Sequence, residues 1–214
     1  MSADSSTGHT NTSTATIYLI RHGEKPPKNP PPHGLTAAGK HDDAHSLTIR
    51  GWQRAGALMT LFAPLDQQFR AGFAYPDRLV APKYTDAPAV DERTHQTIDV
   101  IRQQTGYTVE MPCKVAEKDD KLKAVGRTLA TYTGVTLVCW EHHDLQPIAQ
   151  GIAPNADIPP WDGDRFDMVW AFTSDTGPDG FNFTQIPQLL LPGDISDPIV
   201  RKKTEKAAQP TSSA

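Results

Sequence analysis

Two apolar runs constrain this chain most. ATIYLI, residues 15–20, and GVTLVCW, residues 134–140, are short, rich in β-branched and aromatic residues, and each stops abruptly at a charged residue. Strands that are apolar along their whole length belong in a sheet covered on both faces. DRLVAP (77–82) reads as a second strand, and TGYTVEMP (105–112) contains a short third one. FDMVWAF (166–172) and FNFTQI (181–186) read as a hairpin-type pair across a DTGPDG turn. Helical patterns fill the intervals. Ser46 is expected to cap a helix starting at Leu47, in which Ala55, Leu58, Met59 and Phe62 form one apolar face that ends near Pro64. Asp91 is expected to cap a helix that buries Ile98 and Ile101. Residues 118–132 read as helical, and residues 145–152 as a short helix with Pro147 in its first turn. Strands alternating with helices predict an α/β fold, a three-layer α/β/α sandwich around one mostly parallel sheet.

The 214 residues suit one domain, expected over 15–200, with the polar segments 1–14 and 201–214 expected to be disordered. The prolines between Pro26 and Pro32 exclude helix interior there. A formal net charge of -4 supplies no basic field for a nucleic-acid partner. No stretch approaches the roughly 18 to 20 apolar residues of a membrane span. Two cysteines cannot make a disulfide framework, and Cys139 lies inside an apolar run, so a buried thiol and a reducing, cytoplasmic compartment are expected.

Sheets of this kind bind ligands at the carboxyl ends of their strands. Three charged groups arrive there. The first strand ends in Arg21-His22-Gly23-Glu24, the helix after the second strand opens with Glu92-Arg93-Thr94, and residues 134–140 run into Glu141-His142-His143. Two guanidiniums clamp the oxygens of a phosphoryl group bidentately. A neutral imidazole is a competent nucleophile near neutral pH, and attack on phosphorus gives a phosphohistidine that water releases. A cation in the first turn of a helix, as Arg93 would be, opposes the helix dipole, which favours a functional role for it. Nothing in this chemistry requires a metal or another cofactor. His33, His41 and His45 lack ligand spacing and have no cysteine to support them, so no metal site is expected.

IYLIRHGEKP resembles the signature of the histidine phosphatase (phosphoglycerate-mutase-like) superfamily, in which an apolar strand is followed at once by Arg-His-Gly. ERTHQTIDVI is similar to that family's second element, SLTIRGWQRAGAL to its intervening helix, and LVCWEHHDL to its late strand ending in a second histidine. The order along the chain matches as well. The late WDGDRFDMVWAF and QLLLPGD segments look like an RHGEKP-type branch of the family. The resemblance implies that His22 is the nucleophile, with Arg21, Arg93 and His142 completing the phosphate pocket. It implies hydrolysis of a small phosphorylated molecule, with phosphoryl transfer to another acceptor as the close relative.

Two assignments stay open in the sequence. His142 fits the branch pattern, Trp140-Glu141-His142 followed by Leu145; the rival takes His143-Asp144 as a His-Asp pair in which the aspartate is the proton donor. The general acid is the other. Glu117 lies between the Arg-Thr element and the late strand, where the mutase-like branch carries its glutamate, although the surrounding motif is absent. Glu24, Glu141 and Asp144 are further candidates. The missing acid motif also motivates a different class of function, a phospho-ligand-binding protein that keeps the pocket without turnover. Arg54 reads equally as a solvated helix residue or a pocket residue, His95 as exposed, and Trp140, Trp161 and Trp170 as packing.

Overall fold

The computed structural model of the chain describes residues 14–27, 29, 33–83, 92–174 and 180–201. Asp91, segments 1–13 and 202–214, and most of the DTGPDG turn lie outside the described residues. Six strands form one sheet: β1 (Ala15–Arg21), β2 (Arg78–Val80), β3 (Val109–Glu110), β4 (Gly134–Trp140), β5 (Met168–Ser174) and β6 (Asn182–Pro187). Their order is β3-β2-β4-β1-β5-β6. β1, β2, β3 and β4 pair in parallel, and β5 and β6 add an antiparallel hairpin beside β1. The protein is thus an α/β fold around a mainly parallel, mixed sheet.

Alternate residues of the central strands feed two cores, one on each face. Ile17 and Leu19 of β1, Val138 and Trp140 of β4, and Trp170 and Phe172 of β5 pack against α4 (Asp119–Leu129) and α5 (His142–Ile152). Tyr18, Ile20, Leu137, Cys139, Val169 and Ala171 pack against Leu58, which follows α1 (Ile49–Ala57), and against α2 (Met59–Phe62) and α3 (Glu92–Thr105). That two-sided burial is why these strands read as unbroken apolar runs. Trp140, Trp161 and Trp170 are core residues, and both cysteines are buried and free. No helix among the described residues is long and apolar enough to cross a membrane.

Three local expectations are corrected. Ser46 is not the cap of α1. Thr48 is, accepting a hydrogen bond from the Gly51 amide, while the Ser46 hydroxyl instead faces Glu92 and Gln96. The apolar face from Ala55 to Phe62 belongs to two helical pieces separated at Leu58, not to one helix. The helix read at 145–152 begins at His142, so Pro147 sits inside it and not in its first turn. The proline removes one helical bond, and the burial of Leu145, Ile148, Ala149 and Ile152 offsets that loss at roughly 1.5 kcal/mol or more per large side chain. The earlier start places His142 and His143 in the first turn of α5.

Candidate active site

The register of β1 and β4 builds the site. Arg21 pairs with Trp140, and the His22 amide donates to the Trp140 carbonyl at 3.2 Å. Arg21-His22 and Glu141-His142 therefore leave the sheet side by side, at the carboxyl ends of two neighbouring parallel strands. The Gly23 amide donates to the Thr97 hydroxyl at 2.8 Å, and that hydroxyl donates to the Arg93 carbonyl at 2.6 Å. The loop after β1 is thereby tied to the start of α3, which brings Arg93 to the same edge. Gly23 also lies against Gly51: a Cβ at Gly23 would come 2.8 Å from the Gly51 carbonyl oxygen, and one at Gly51 would come 2.5 Å from the Glu24 carbonyl oxygen. The glycine of Arg-His-Gly is needed for this close approach of loop and helix α1.

His22 is fully buried, and both ring nitrogens face oxygen. Nδ1 lies 2.6 Å from the Gly23 carbonyl, which can only accept, so Nδ1 carries a hydrogen. Nε2 lies 3.1 Å from Glu141 Oε2. Glu141 Oε1 is in turn 3.5 Å from an Arg93 nitrogen. Burial works to raise the Glu141 carboxyl, but the His22 hydrogen bond and the charges of His22, Arg93 and Lys25 outweigh it and hold the pKa down to about 2. Burial pushes His22 the other way, toward the neutral ring. A ring with one hydrogen cannot bond two acceptors, so the contacts on both nitrogens override the effect of burial and put a second proton in the bond between Nε2 and Glu141.

Around this pair stand buried polar atoms without partners. Arg21 donates from one terminal nitrogen to the Gly163 and Arg165 carbonyls at 2.5 and 3.1 Å and lies 3.7 Å over the Phe166 ring, yet its Nε and second terminal nitrogen are unsatisfied. Arg93 donates to the Ala44 carbonyl at 3.1 Å, and its Nε is unsatisfied. His142 Nδ1 is also buried without a partner. Burial, then the neighbouring charges of Arg21 and His143, push the His142 pKa down to about 3, so its ring is neutral at physiological pH. Burial lowers Arg21 to about 10, which leaves it a cation. Buried donors without acceptors are costly, and an anion satisfies several at once. Gly163 keeps the cover over His142 thin: a Cβ there would sit 3.4 Å from Nε2 of the ring.

The structure gathers Arg21, His22, Arg93 and His142 at this edge, and leaves other candidates outside. His143 is exposed, its ring against His142 with centroids 3.7 Å apart. Asp144 accepts from the Ala116 amide at 2.8 Å and the Trp140 indole at 3.0 Å. Glu117 pairs with Lys121 at 2.5 Å, four residues on. Glu24 is bound by Arg54 at 2.8 Å and Arg50 at 3.1 Å. Arg54 is neither solvated nor part of the pocket; it is buried between Glu24 and Asp194. His95 is half-buried, bonded to the Pro82 carbonyl at 2.8 Å. Sequence reasoning missed Thr97, Phe166 and the carbonyls of Gly163 and Arg165. Only Thr97 left a signal, in the Gln-Thr of ERTHQT.

No protein-family model matches the chain, and no curated protein matches it. Its neighbours among solved structures are phosphohistidine phosphatases, phosphoglycerate mutases and a related phosphatase. The protein histidine phosphatase SixA complexed with tungstate is 15% identical over 81% of this chain and 97% of its own, with a TM-score of 0.49. Phosphoglycerate mutase from Plasmodium falciparum is 12% identical over 87% and 99%, with a TM-score of 0.48. A candidate alpha-ribazole-5'-P phosphatase from Escherichia coli is 15% identical over 81% and 96%, with a TM-score of 0.48. Likeness at this level transfers no activity.

Proposed function

We propose that this protein hydrolyses a phosphomonoester through a phosphohistidine formed on His22 Nε2, without a metal ion. The observation that carries the reading is the ring of unsatisfied buried donors, Arg21 Nε and its free terminal nitrogen and Arg93 Nε, with the unpartnered His142 Nδ1, beside a histidine whose Nδ1–H is fixed on a backbone carbonyl. The Gly23 carbonyl holds the tautomer that leaves Nε2 to attack, and it stabilises the ring as positive charge develops on it. Arg21 and Arg93 neutralise the non-bridging oxygens, and a neutral His142 donates a hydrogen bond to them without adding charge. In-line displacement expels the alcohol, and water then attacks the phosphohistidine. Transfer to a second phosphorylated molecule would use the same groups and differ only in the acceptor.

Hydrolysis of p-nitrophenyl phosphate by wild type and His22→Ala, from about pH 5 to 8 with a chelator present, tests this. The expected result is turnover unchanged by the chelator and a loss on the order of 10³-fold or more in His22→Ala. Wild type that binds vanadate but never turns over would replace the reading with that of a non-catalytic phospho-ligand binder.

A further inference from the structure

Expulsion of an alkoxide needs a proton, and the carboxyls nearest the site in sequence are mostly committed elsewhere. Glu117 is held by Lys121, Glu24 by Arg54 and Arg50, and Asp144 by the Ala116 amide and Trp140. Glu141 differs. It is the N-cap residue of α5, yet its side chain makes no capping bond. Its carboxylate rests on His22 Nε2 at 3.1 Å and against Arg93 at 3.5 Å. His22 is sealed from solvent while the Glu141 side chain is 15% exposed, so the carboxylate covers the attacking nitrogen and itself reaches solvent.

The direction of that contact matters. A hydrogen bond to a ring nitrogen lies near its lone-pair axis. In-line displacement puts the leaving oxygen on the same axis, beyond phosphorus. A phosphoryl group entering between Nε2 and Glu141 therefore turns its leaving oxygen toward the carboxylate it displaces. The pair holds one proton at rest. A phosphate dianion beside the carboxylate raises its proton affinity, as like charges do.

We propose, on the basis of the phosphohistidine reading above, that Glu141 is the general acid–base of this reaction, parked on the nucleophile until substrate arrives. As the phosphoryl group enters, the shared proton passes to Glu141 and Nε2 is bare. The Nε2–P bond forms, the P–O bond to the alcohol breaks, and the Glu141 proton goes to the leaving oxygen. The resulting carboxylate takes a proton from the water that attacks phosphohistidine. Breakage of the N–P bond frees phosphate, and the proton returns to the bond between Glu141 and Nε2. Atoms and charge balance with water as the only co-reactant.

A general acid matters most for poor leaving groups. The test compares wild type, Glu141→Gln and Glu141→Asp on p-nitrophenyl, phenyl and p-methoxyphenyl phosphate, which have similar shape and increasingly basic leaving oxygens. In Glu141→Gln, the kcat ratio between the p-nitrophenyl and p-methoxyphenyl esters should open by about 10²-fold relative to wild type. Glu141→Asp keeps a carboxyl and should hold a ratio near that of wild type even if every rate falls. A uniform loss across the three esters in Glu141→Gln, or an unchanged profile, overturns the assignment. Trapping of labelled phosphohistidine in alkaline denaturant, where the acid-labile N–P bond survives, separates the two readings: labelled wild-type protein with a flat Glu141→Gln profile sinks only the acid, and no label on His22 sinks the phosphohistidine reading beneath it.

Discussion

His142 is neutral because burial and the charges of Arg21 and His143 press its pKa from 6.5 down to about 3. In the unfolded chain it takes a proton near its ordinary value. Between about 6.5 and 3 the unfolded state therefore holds a proton that the folded state refuses, and acidification across that window favours unfolding. Glu141 acts in the same direction lower down. Its pKa is about 2 folded against 4.5 unfolded, so the stability it contributes above pH 4.5 is lost as the pH falls toward 2. The melting temperature of the wild type should fall steadily from pH 7 to pH 4, and that of His142→Gln should fall less over the same range. Thermal melts by circular dichroism at several pH values check this, and parallel curves for the two proteins would place the acid sensitivity elsewhere. At this scale the sequence was informative where chemistry is contiguous: Arg21-His22-Gly23 and Arg93-Thr94 carry their meaning in short motifs. It was uninformative where a partner is chosen by register. Glu141 meets His22 only because Arg21 lies opposite Trp140 across two strands that are more than a hundred residues apart in the chain.

Element boundaries were legible in proportion to how completely an element is buried. β4 coincides with its apolar run because every residue from Thr136 to Trp140 is inside, and β2 and α3 fall where their patterns put them. The start of α5 was missed because Pro147 looked like a first-turn residue, whereas packing against α4 tolerates it one turn deeper. That packing is unusually close. A Cβ on Gly126 of α4 would strike the Ile148 carbonyl and come 2.8 Å from Gly151 Cα, and one on Gly151 would come 2.9 Å from Gly126 Cα. The two glycines let the backbones touch, and α5 carries His142 at its other end. Gly126→Ala should therefore cost about 1–3 kcal/mol and lower turnover with it, because relieving the clash shifts α5 as a body. Gly56→Ala on the exposed side of α1, where nothing lies within 4 Å, is the control and should be neutral or stabilising by up to about 1 kcal/mol. Urea unfolding of the two variants, read beside their p-nitrophenyl phosphatase rates, distinguishes a backbone clash from a general intolerance of helix glycine substitution.

Over the whole molecule, one buried cation joins regions that no local pattern connects. Arg54 of α1 binds Glu24, just after the Arg-His-Gly tripeptide, at 2.8 Å and Asp194, after the last strand, at 2.7 Å. It also donates to Gln188 at 2.9 Å. Asp194 accepts the Leu190 and Leu191 amides, and Asp167, at the end of the loop that covers Arg21, accepts the Ile195 amide at 2.8 Å. The loop after β1, helix α1, the covering loop and the C-terminal QLLLPGD segment are thus fastened through one guanidinium. The C-terminal segment, far in sequence from the Arg-His-Gly tripeptide, is thus part of what holds that edge of the sheet in place. Arg54→Met should cost about 3 kcal/mol, because it leaves buried Asp194 and Glu24 with only the half-exposed Arg50 as a cation, and should depress turnover by loosening Glu24 beside Gly23. Lysine should not rescue it, since a single ammonium cannot span both carboxylates as the planar fork does. The triple variant Arg54→Met, Glu24→Gln, Asp194→Asn removes the stranded charge and should recover part of the stability lost by the single change. Chemical denaturation of wild type, single and triple variants checks this non-additivity. A triple variant less stable than Arg54→Met alone would show that the carboxylates have binding roles of their own, independent of the arginine.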